Sequence, residues 1–591
     1  MNRFQLFLVT LFGFLASLLF LYGFIVWHGM LIDDAFITFR FAENIAKGHG
    51  VVWNIGEERV EGYSSPLMIL VLLPCFWLGA DPLIYSQLMA LLINLVMIPS
   101  LLLYSQKFSP VASDASPLRV LPPIIAFTWL LLHGTVVHTL SGMETALTTG
   151  VYLTWAILIG AACQRPINAE TPTASMIWLQ SHWGGFVTLL LVSLCVFLVR
   201  SEGGAVACIG FLVAWLYTGN RWRSVALGAA FFGFVALYLV WKHFYFGHIL
   251  PTPYYHKVAT EGTSLPGFRM VFDFFNHYGI YGLWIFGVWL LVPPGRETPL
   301  RPLEAFSILT ILFHAVFFCR VEHIMGYDFR FNWPSLPFIL LLAVLAVPRL
   351  QSLSMEWKLP QYSAWAKLVA VASVVALFFA FGLRYATIDA FRGIRYFWNP
   401  PKAQNFEIAG YGTNKRIGQA LGSLDLSYDT TVIGMEAGLI PYYARTRTID
   451  EVGLTSLVFT HGSREERDAY LEANPFDVYF TVSTTGALDD FAANFDWVEQ
   501  SPEEVASWSR ERFTRRAADY YYAGHYYWWI DPRRQQLILW VRKTHPRATE
   551  IVEALRNSAS HVSPTQLRFG PYAEGVAEGV LHPTLDAALH N

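Results

Sequence analysis

Long runs of apolar residues constrain the fold of this chain more than any other feature. The first run, from Phe4 to Trp27, is long enough to cross a hydrocarbon core about 30 Å thick. Further runs of this kind lie near 82–105, 120–140, 144–162, 185–200, 203–219, 224–242, 278–293, 303–319, 335–347 and 365–383. Because a segment in lipid must satisfy its own backbone hydrogen bonds, the sequence predicts a polytopic α-helical membrane protein with about eleven transmembrane helices.

The composition agrees with this class and excludes others. Apolar residues make up 54% of the chain and charged residues 14%, whereas soluble domains contain about 25% charged residues. The net charge of −3 gives no reason to expect a nucleic-acid partner. The five cysteines have no metal-binding spacing, and we interpret them as small core residues.

The charges of the loops predict the orientation of the chain. Loops on the same side as Arg3 are mostly basic, whereas the opposite loops mix acids and bases. By the positive-inside rule, Arg3 is cytoplasmic and the polar loops face outside. The shorter apolar stretch 66–79 contains Pro74, and we interpret it as an interfacial helix of the first outer loop, 28–81. If this stretch were counted as a span, the predicted orientation of every later span and loop would be reversed.

The character of the chain changes near residue 384. Residues 1–383 are predicted to form the transmembrane catalytic domain. Residues 384–591 contain no long apolar run and are predicted to form a soluble periplasmic domain. Segments 430–434, 478–482 and 536–543 are predicted strands, and 414–424 and 463–474 are predicted helices. This alternation is typical of an α/β or α+β domain.

Two acidic residues, Asp33 and Asp34, directly follow the first span. Carboxylates at the edge of a bilayer can contact both a lipid-borne and a water-borne substrate, so we predict that at least one of them is catalytic. The alternative is that either residue is the N-cap of the next helix, a position that Asp favours. That helix, 34–47, is predicted to lie on the bilayer surface with a polar stripe of Arg40, Glu43, Asn44 and Lys47.

Glu144 is a further candidate, since it lies between the third and fourth spans on the same side as Asp33 and Asp34. There it could complete an acidic site. It also follows Ser141 at the spacing of a capping box, which is an equally good structural explanation.

Cationic and aromatic residues recur in the outer loops and could bind a phosphate-containing substrate. The candidates are Arg40, Arg200, Glu202, Tyr254, Tyr255, His256, Lys257, Arg320, His323, Asp328 and Arg330. For the tyrosines the alternative is a place in the aromatic belt at the membrane surface. For His323 and Asp328 the alternative is metal binding, although no established metal motif includes them.

Several of these segments, in this order, resemble one family. They are Asp33-Asp34, GHGVVWNIGEERVEGYSSPL, SGMETAL, LVRSEGG, PTPYYHK, MGYDFRFNWPSLP and AGLIPYYARTRTIDEVGLT. Together they are similar to the GT-C superfamily of membrane glycosyltransferases, in particular the mycobacterial AftB-type terminal arabinofuranosyltransferases. Thr252 stands where Asn is usual in that family.

The resemblance implies transfer of a sugar, with arabinofuranose as the expected one, from a polyprenyl-phosphate donor to a cell-envelope glycan or glycoprotein. It also implies that the site lies on the periplasmic face of a bacterial inner membrane. The acidic pair of the family carries over to Asp33 and Asp34. One of them would be the general base for the acceptor hydroxyl, and a single displacement would invert the anomeric carbon. The cationic residues of the outer loops would hold the leaving phosphate. A divalent cation on the acids is compatible with this chemistry but not required.

Other functions stay open from the sequence. A flippase or transporter of lipid-linked sugars would place ionisable residues near mid-bilayer, often in repeated halves, whereas these acids lie at the ends of spans. Another GT-C transferase could move a different sugar. A structural subunit of an envelope complex would use Asp33 and Asp34 only as caps.

Overall fold

The computed structural model describes 3–26, 31–108, 117–163, 179, 182–257, 267–278, 300–321, 323, 326–356, 411–483, 519–527 and 536–560. These residues form a helical part up to residue 356 and a mixed helix-and-sheet part from residue 411. The predicted domain boundary at residue 384 lies outside the described residues, so it stays a prediction.

The helical part follows the predicted apolar runs closely. Its helices are α1 (Arg3–Val26), α2 (Asp33–Ala46), α3 (Pro66–Trp77), α4 (Pro82–Leu92), α5 (Ile98–Tyr104), α6 (Leu121–Thr128), α7 (His133–Leu140), α8 (Thr145–Cys163), α9 (Trp183–Val199), α10 (Gly203–Tyr217), α11 (Arg221–Phe246), α12 (Thr252–Lys257), α13 (Pro302–Cys319) and α14 (Leu336–Glu356). A π-helical turn, Ile93–Met97, joins α4 to α5. A further helical segment covers 268–278.

Among the described residues, 6 helical stretches are long and apolar enough to cross a membrane. They are Arg3–Val26, Pro82–Phe108, Thr145–Cys163, Arg221–Phe246, Pro302–Cys319 and Tyr327–Val347. The bent pair Leu121–Leu131 and His133–Leu140, which meet at 52°, adds a seventh if it is counted as one span. The chain is therefore a multi-pass membrane protein, while the total of eleven spans stays a prediction.

Several predicted apolar segments are shorter helices in the structure. The segments predicted at 185–200 and 203–219 form α9 and α10, of 17 and 15 residues. The stretch at 66–79 forms α3, whose 12 residues agree with the length expected of an interfacial helix. Apart from Tyr278, the spans predicted at 278–293 and 365–383 lie outside the described residues.

Local sequence signals fix several helix ends. Asp81 accepts hydrogen bonds from the N–H groups of Leu83 and Ile84 and thereby caps α4, whose first residue is Pro82. Helix α11 ends at Phe246, and the next residue, Gly247, has a φ of 78° and adopts the left-handed conformation that glycine tolerates best. These signals set the lengths of spans whose apolar composition alone leaves their ends undefined.

Burial separates the central helices from those at the periphery. In the most apolar window of α8, 83% of the residues are buried, and in that of the stretch Tyr327–Val347 all of them are. The corresponding values for α1 and α11 are 17% and 22%. Because a spanning helix with an exposed apolar surface requires lipid around it, α1 and α11 lie at the edge of the bundle.

The second part is built on a mixed sheet. Its strands are β1 (Thr431–Gly434), β2 (Arg447–Asp450), β3 (Val478–Ser483), β4 (Tyr520–Tyr527) and β5 (Gln536–Arg542), in the order β2-β1-β3-β5-β4. Strand β1 pairs in parallel with β2 and β3, whereas β5 is antiparallel to β3 and β4. The described helices of this part are α15 (Tyr411–Ser423), α16 (Leu439–Ala444), α17 (Leu457–His461), α18 (Arg464–Ala473) and α19 (Ala548–Ser560).

The sequence predictions for this part are confirmed where the signal was strong. The three predicted strands are β1, β3 and β5, and the two predicted helices are α15 and α18. A capping box between Ser463 and Glu466 begins α18. Both faces of the sheet are covered, because alternate strand residues such as Val432 and Ile433 belong to separate hydrophobic cores.

Candidate active site

Asp33 and Asp34 are the first two residues of α2. The N-cap of this helix is Ile32, and no side chain forms a capping hydrogen bond there. The alternative that one of the two aspartates is this N-cap is therefore wrong. Since their carboxylates are not used to cap α2, they are available for contacts with other parts of the chain.

The two carboxylates make entirely different contacts. Asp33 is buried, and its two oxygens accept hydrogen bonds from the backbone N–H groups of Gly438 and Leu439, both at 2.8 Å. The side chain of Asp34 is 22% exposed, and its Oδ2 lies 3.5 Å from Nη1 of Arg330. The acidic pair thus divides into one residue that contacts the sheet-containing part and one beside a cation of the membrane part.

A buried ionic network continues from Arg330. Glu144 Oε1 accepts hydrogen bonds from Arg330 at 3.2 Å and from Arg200 at 2.8 Å. Nε of Arg200 donates to Glu202 at 2.5 Å. Apart from Asp34, no side chain in this network is more than 7% exposed. The structure therefore brings together Asp34, Glu144, Arg200, Glu202 and Arg330, all of which the sequence predicted as site residues.

The contacts of Glu144 differ from those of a capping box. Ser141 Oγ accepts a hydrogen bond from the N–H of Met143, and the Glu144 carboxylate is occupied by the two arginines. Burial raises the pKa of Glu144, but the charges of Arg330 and Arg200 outweigh it and lower that pKa to about 2. Glu144 is therefore a permanent carboxylate that holds two guanidinium groups in place.

The backbone just before Arg330 has an unusual conformation. Asp328 and Phe329 have φ values of 45° and 58°, in the left-handed region that non-glycine residues seldom adopt. Nδ1 of His133 lies 3.3 Å from the Asp328 carboxylate, and Nε2 of His138 donates to the Asp328 carbonyl oxygen at 3.1 Å. Two residues of α7 thus hold the turn that presents Arg330.

Metal binding was an alternative for His323 and Asp328. His323 Nε2 instead donates to the Phe318 carbonyl oxygen at 2.9 Å, and Asp328 contacts the two histidines of α7. Among the described residues, no group of three or more His, Cys, Asp or Glu side chains is arranged to hold a metal ion.

Arg40 lies between the two parts of the chain. All five of its N–H groups donate hydrogen bonds. Three go to the carbonyl oxygens of Trp53, Pro441 and Thr446, and two go to side-chain oxygens of Asn54 and Thr448. The polar stripe of the predicted helix 34–47 is thus not open to water along its whole length, because Arg40 and Asn44 are buried whereas Lys47 is exposed. The place of this helix on the bilayer surface stays a prediction. The predicted phosphate-binding role of Arg40 stays untested, and its donors are already occupied.

The remaining predicted residues lie on α12 or directly after the last residue of α13. Tyr254 is half-buried and Tyr255 is exposed on α12, with the Tyr255 ring 4.6 Å from the ring of His461 in α17. Arg320 is exposed at the end of α13. The side chains of His256 and Lys257 lie outside the described part of the structure. None of the contacts described for Tyr255 or Arg320 involves the ionic network.

The sequence predictions missed Glu436, whose carboxyl group interacts electrostatically with that of Asp33. Glu436 follows β1, and Asp450, which interacts electrostatically with it, is the last residue of β2. Residues after the carboxyl ends of parallel strands often form sites. Because β1 was predicted from the sequence, that rule could have identified Glu436.

A second missed feature is the ion pair between Glu61 and Lys242. Their charged groups are 2.5 Å apart, and both side chains are at most 6% exposed. Burial outweighs the charge of Lys242 and raises the pKa of Glu61 to about 7. This pair joins the first outer loop to the end of α11. Neither residue was singled out in the sequence, because each is an isolated charge without a motif.

Comparisons with known proteins agree with this geometry at the level of the fold. The chain is 25% identical over 298 residues to the terminal beta-(1->2)-arabinofuranosyltransferase of Mycobacterium tuberculosis, a match that covers 48% of this chain and 45% of that protein. The chain therefore matches less than half the length of this curated relative. A family model described as a domain of unknown function (DUF8728) matches residues 403–537.

Solved structures cover much more of the chain. ArnT from Cupriavidus metallidurans, crystallised with undecaprenyl phosphate, matches with a TM-score of 0.51 and 14% identity over 90% of this chain and 97% of that one. Its apo structure matches with the same TM-score and coverage at 13% identity. At this level of identity the likeness shows the fold alone. The chain thus has the fold of the GT-C membrane glycosyltransferases.

Proposed function

We propose that this chain is a membrane glycosyltransferase that transfers a sugar from a polyprenyl-phosphate donor to a hydroxyl group of an envelope glycan or protein. The observation that carries the proposal is the partly exposed Asp34 carboxylate beside the buried Arg330. At this place a carboxylate that can accept a proton lies beside a fixed cation. Sugar transfer from a lipid phosphate requires both groups. The undecaprenyl phosphate bound to ArnT supports a lipid phosphate as the carrier.

Asp34 is the general base in this proposal. Its carboxylate takes the proton of the acceptor hydroxyl while the acceptor oxygen bonds to the anomeric carbon and the bond from that carbon to the phosphate oxygen breaks. This single displacement inverts the anomeric configuration. Asp33 is less suited to the role because backbone N–H groups already occupy both of its oxygens. Asp34 retains solvent access on the same turn of α2.

Arg330 stabilises the charge of the leaving group. The second pKa of a phosphate monoester is about 6, so the departing polyprenyl phosphate needs a neighbouring positive charge more than a proton. Nε of Arg330 is buried and has no hydrogen-bond partner among the described residues. A phosphate oxygen beside Arg330 would satisfy that donor.

The rest of the network holds Arg330 in position. Glu144 contacts Arg330 and Arg200 together, and Glu202 contacts Arg200, so the cation is fixed before substrate binds. A fixed charge stabilises a transition state without reorganising at the moment of reaction. Glu144, Arg200 and Glu202 are therefore positioning residues in this proposal.

We propose arabinofuranose as the transferred sugar. The 25% identity to an arabinofuranosyltransferase supports it, together with the ordered motifs of the outer loops. The second candidate is another sugar on a polyprenyl phosphate, which is favoured by the likeness to ArnT over 90% of the chain. The charges of the loops support a site on the periplasmic face of the inner membrane, with the sheet-containing part on the same side.

The test is sugar transfer by the full chain in lipid nanodiscs, with polyprenyl-phosphoryl arabinose and cell-envelope glycan. Asp34→Asn keeps the shape of the side chain but removes the base, and we expect a loss of kcat of at least about a hundredfold. Asp273→Asn is a matched control, since Asp273 lies in the segment 268–278, is 44% exposed and pairs at 3.9 Å with the exposed Arg269.

Each outcome separates the alternatives. Transfer that is lost in Asp34→Asn and kept in Asp273→Asn supports the proposed base. Full activity in a folded Asp34→Asn protein would refute it. Transfer from a different polyprenyl-phosphate sugar, but not from the arabinose donor, would replace arabinofuranose with the second candidate.

A further inference from the structure

We infer that the sheet-containing part completes the catalytic site, with Glu436 as a positioning residue that holds Asp33 and thereby fixes the orientation of Asp34. The inference rests on the proposed function for the role of Asp34. It assigns to the second part of the chain a direct contact with the acidic pair. It also gives Asp33 and Asp34 separate tasks, one in assembly of the site and one in chemistry.

The contacts around Asp33 carry the inference. Both carboxylate oxygens accept backbone N–H groups, and Asp33 is only 3% exposed. The donors, Gly438 and Leu439, are two and three residues after Glu436 in the chain. A carboxylate with two such hydrogen bonds has a fixed rotamer, so the start of α2 is held in one orientation.

The carboxyl group of Glu436, in the same segment, interacts with that of Asp33, and we assign a hydrogen bond to this pair. Two carboxyl groups can share a hydrogen bond only when one of them carries a proton. The acids that face Glu436 are Asp33 and Asp34 of α2 and Asp450 at the end of β2. Burial and these negative charges raise the pKa of Glu436 well above its usual range, so Glu436 is the group that holds the proton.

The fit of Gly438 shows how close the two parts of the chain are. A Cβ atom at this position would lie 2.0 Å from the Asp33 carbonyl oxygen and 2.4 Å from Oδ2. No real Cβ contact is that short, so only glycine allows this approach of backbone to carboxylate. The segment Glu436–Leu439 is thus matched to Asp33 by backbone shape as well as by hydrogen bonds.

Further contacts extend this interface along α2 and the first outer loop. Arg40 donates to Pro441 and Thr446, and Asn54 both donates to and accepts from the backbone of Thr448. Glu58 accepts the N–H of Leu457 at 3.0 Å. The interface therefore extends along α2 from Asp33 to Arg40, and the contacts of the Asp33 carboxylate are its end nearest to Asp34.

The test compares Glu436→Gln and Glu436→Ala in the full chain with Glu465→Gln, a matched control on the exposed side of α18. Gln can donate to Asp33 at every pH, whereas Ala cannot donate at all. We expect Glu436→Ala to lower kcat about tenfold with little change in the KM for the donor. Wild-type activity should fall at alkaline pH, where Glu436 loses its proton, and Glu436→Gln should remove that fall.

Hydrogen exchange of residues 436–440 provides a readout without substrate. At one fixed pH near neutrality, Glu436→Ala should exchange about tenfold faster than wild type, while Glu436→Gln and Glu465→Gln should not. Wild-type exchange and an unaltered pH profile in a folded Glu436→Ala protein would overturn the inference. Absence of any sugar transfer would count against the proposed function, and exchange alone would then decide whether Glu436 holds Asp33.

Discussion

Replacement of Glu144 by Gln should destabilise the membrane part, because this carboxylate lies between two buried guanidinium groups. Glu144 contacts Arg200 and Arg330, and these arginines also repel each other. Glutamine has almost the same shape but no charge. The change therefore removes the charge compensation and leaves the packing nearly intact, so any loss of stability reports on electrostatics.

The size of the effect follows from the shift in the pKa. Burial raises the pKa of Glu144, yet the two arginines bring it from 4.5 to about 2, which corresponds to about 3 kcal/mol in favour of the carboxylate. Removal of one partner from a buried ion pair typically costs about 3–5 kcal/mol. We therefore expect Glu144→Gln to lower the thermal midpoint by roughly 5–10 °C.

The assay is thermal unfolding of the full chain in detergent, with Glu465→Gln on the protein surface as the control. The pKa of Glu144 is depressed in the fold, so its stabilisation is complete above pH 4.5 and is lost as the pH falls toward 2. The difference between wild type and Glu144→Gln should consequently shrink below pH 4.5. Equal midpoints at neutral pH would refute the argument that Glu144 holds the two arginines.

Two further predictions concern the interface between the two parts of the chain. Gly438→Ala should speed hydrogen exchange over residues 436–440, since the added Cβ would collide with Asp33. The control is Gly228→Ala in α11, whose Cβ would have nothing within 4 Å, so residues 436–440 of this variant should exchange at the wild-type rate. Arg40→Lys should lower the free energy of unfolding by about 2 kcal/mol, because an ammonium group cannot reproduce the planar set of five donors. The loss is measured as a lower thermal midpoint. An unchanged midpoint in Arg40→Lys would contradict the assigned role of that guanidinium.

Much of the fold could be predicted because its signals are local. Apolar length identified the six spans found among the described residues, and short apolar segments identified β1, β3 and β5. The members of the ionic network were also among the predicted site residues, since each is a charge at the end of an apolar run. Local patterns are therefore enough to select Glu144 and Arg330 as candidate site residues.

The partners of these residues could not be predicted, because they depend on contacts between distant parts of the chain. Arg40 belongs to a regular polar stripe, and that pattern is the same for a helix facing water and for one covered by another domain. Asp33 and Asp34 are adjacent and chemically identical in the sequence. Only the approach of Gly438 and Leu439 on one side and of Arg330 on the other distinguishes them.

The contact between Asp33 and Gly438 also affects the order of events during synthesis, since it joins residues 405 positions apart. At about 5–20 residues per second, a ribosome needs roughly 20–80 s to make the intervening chain. During that interval the start of α2 lacks its native partners, and a nascent or truncated chain exposes the charge of Arg40. The exposure ends only when residues 438–446 dock, so the start of α2 reaches its native surroundings late in synthesis.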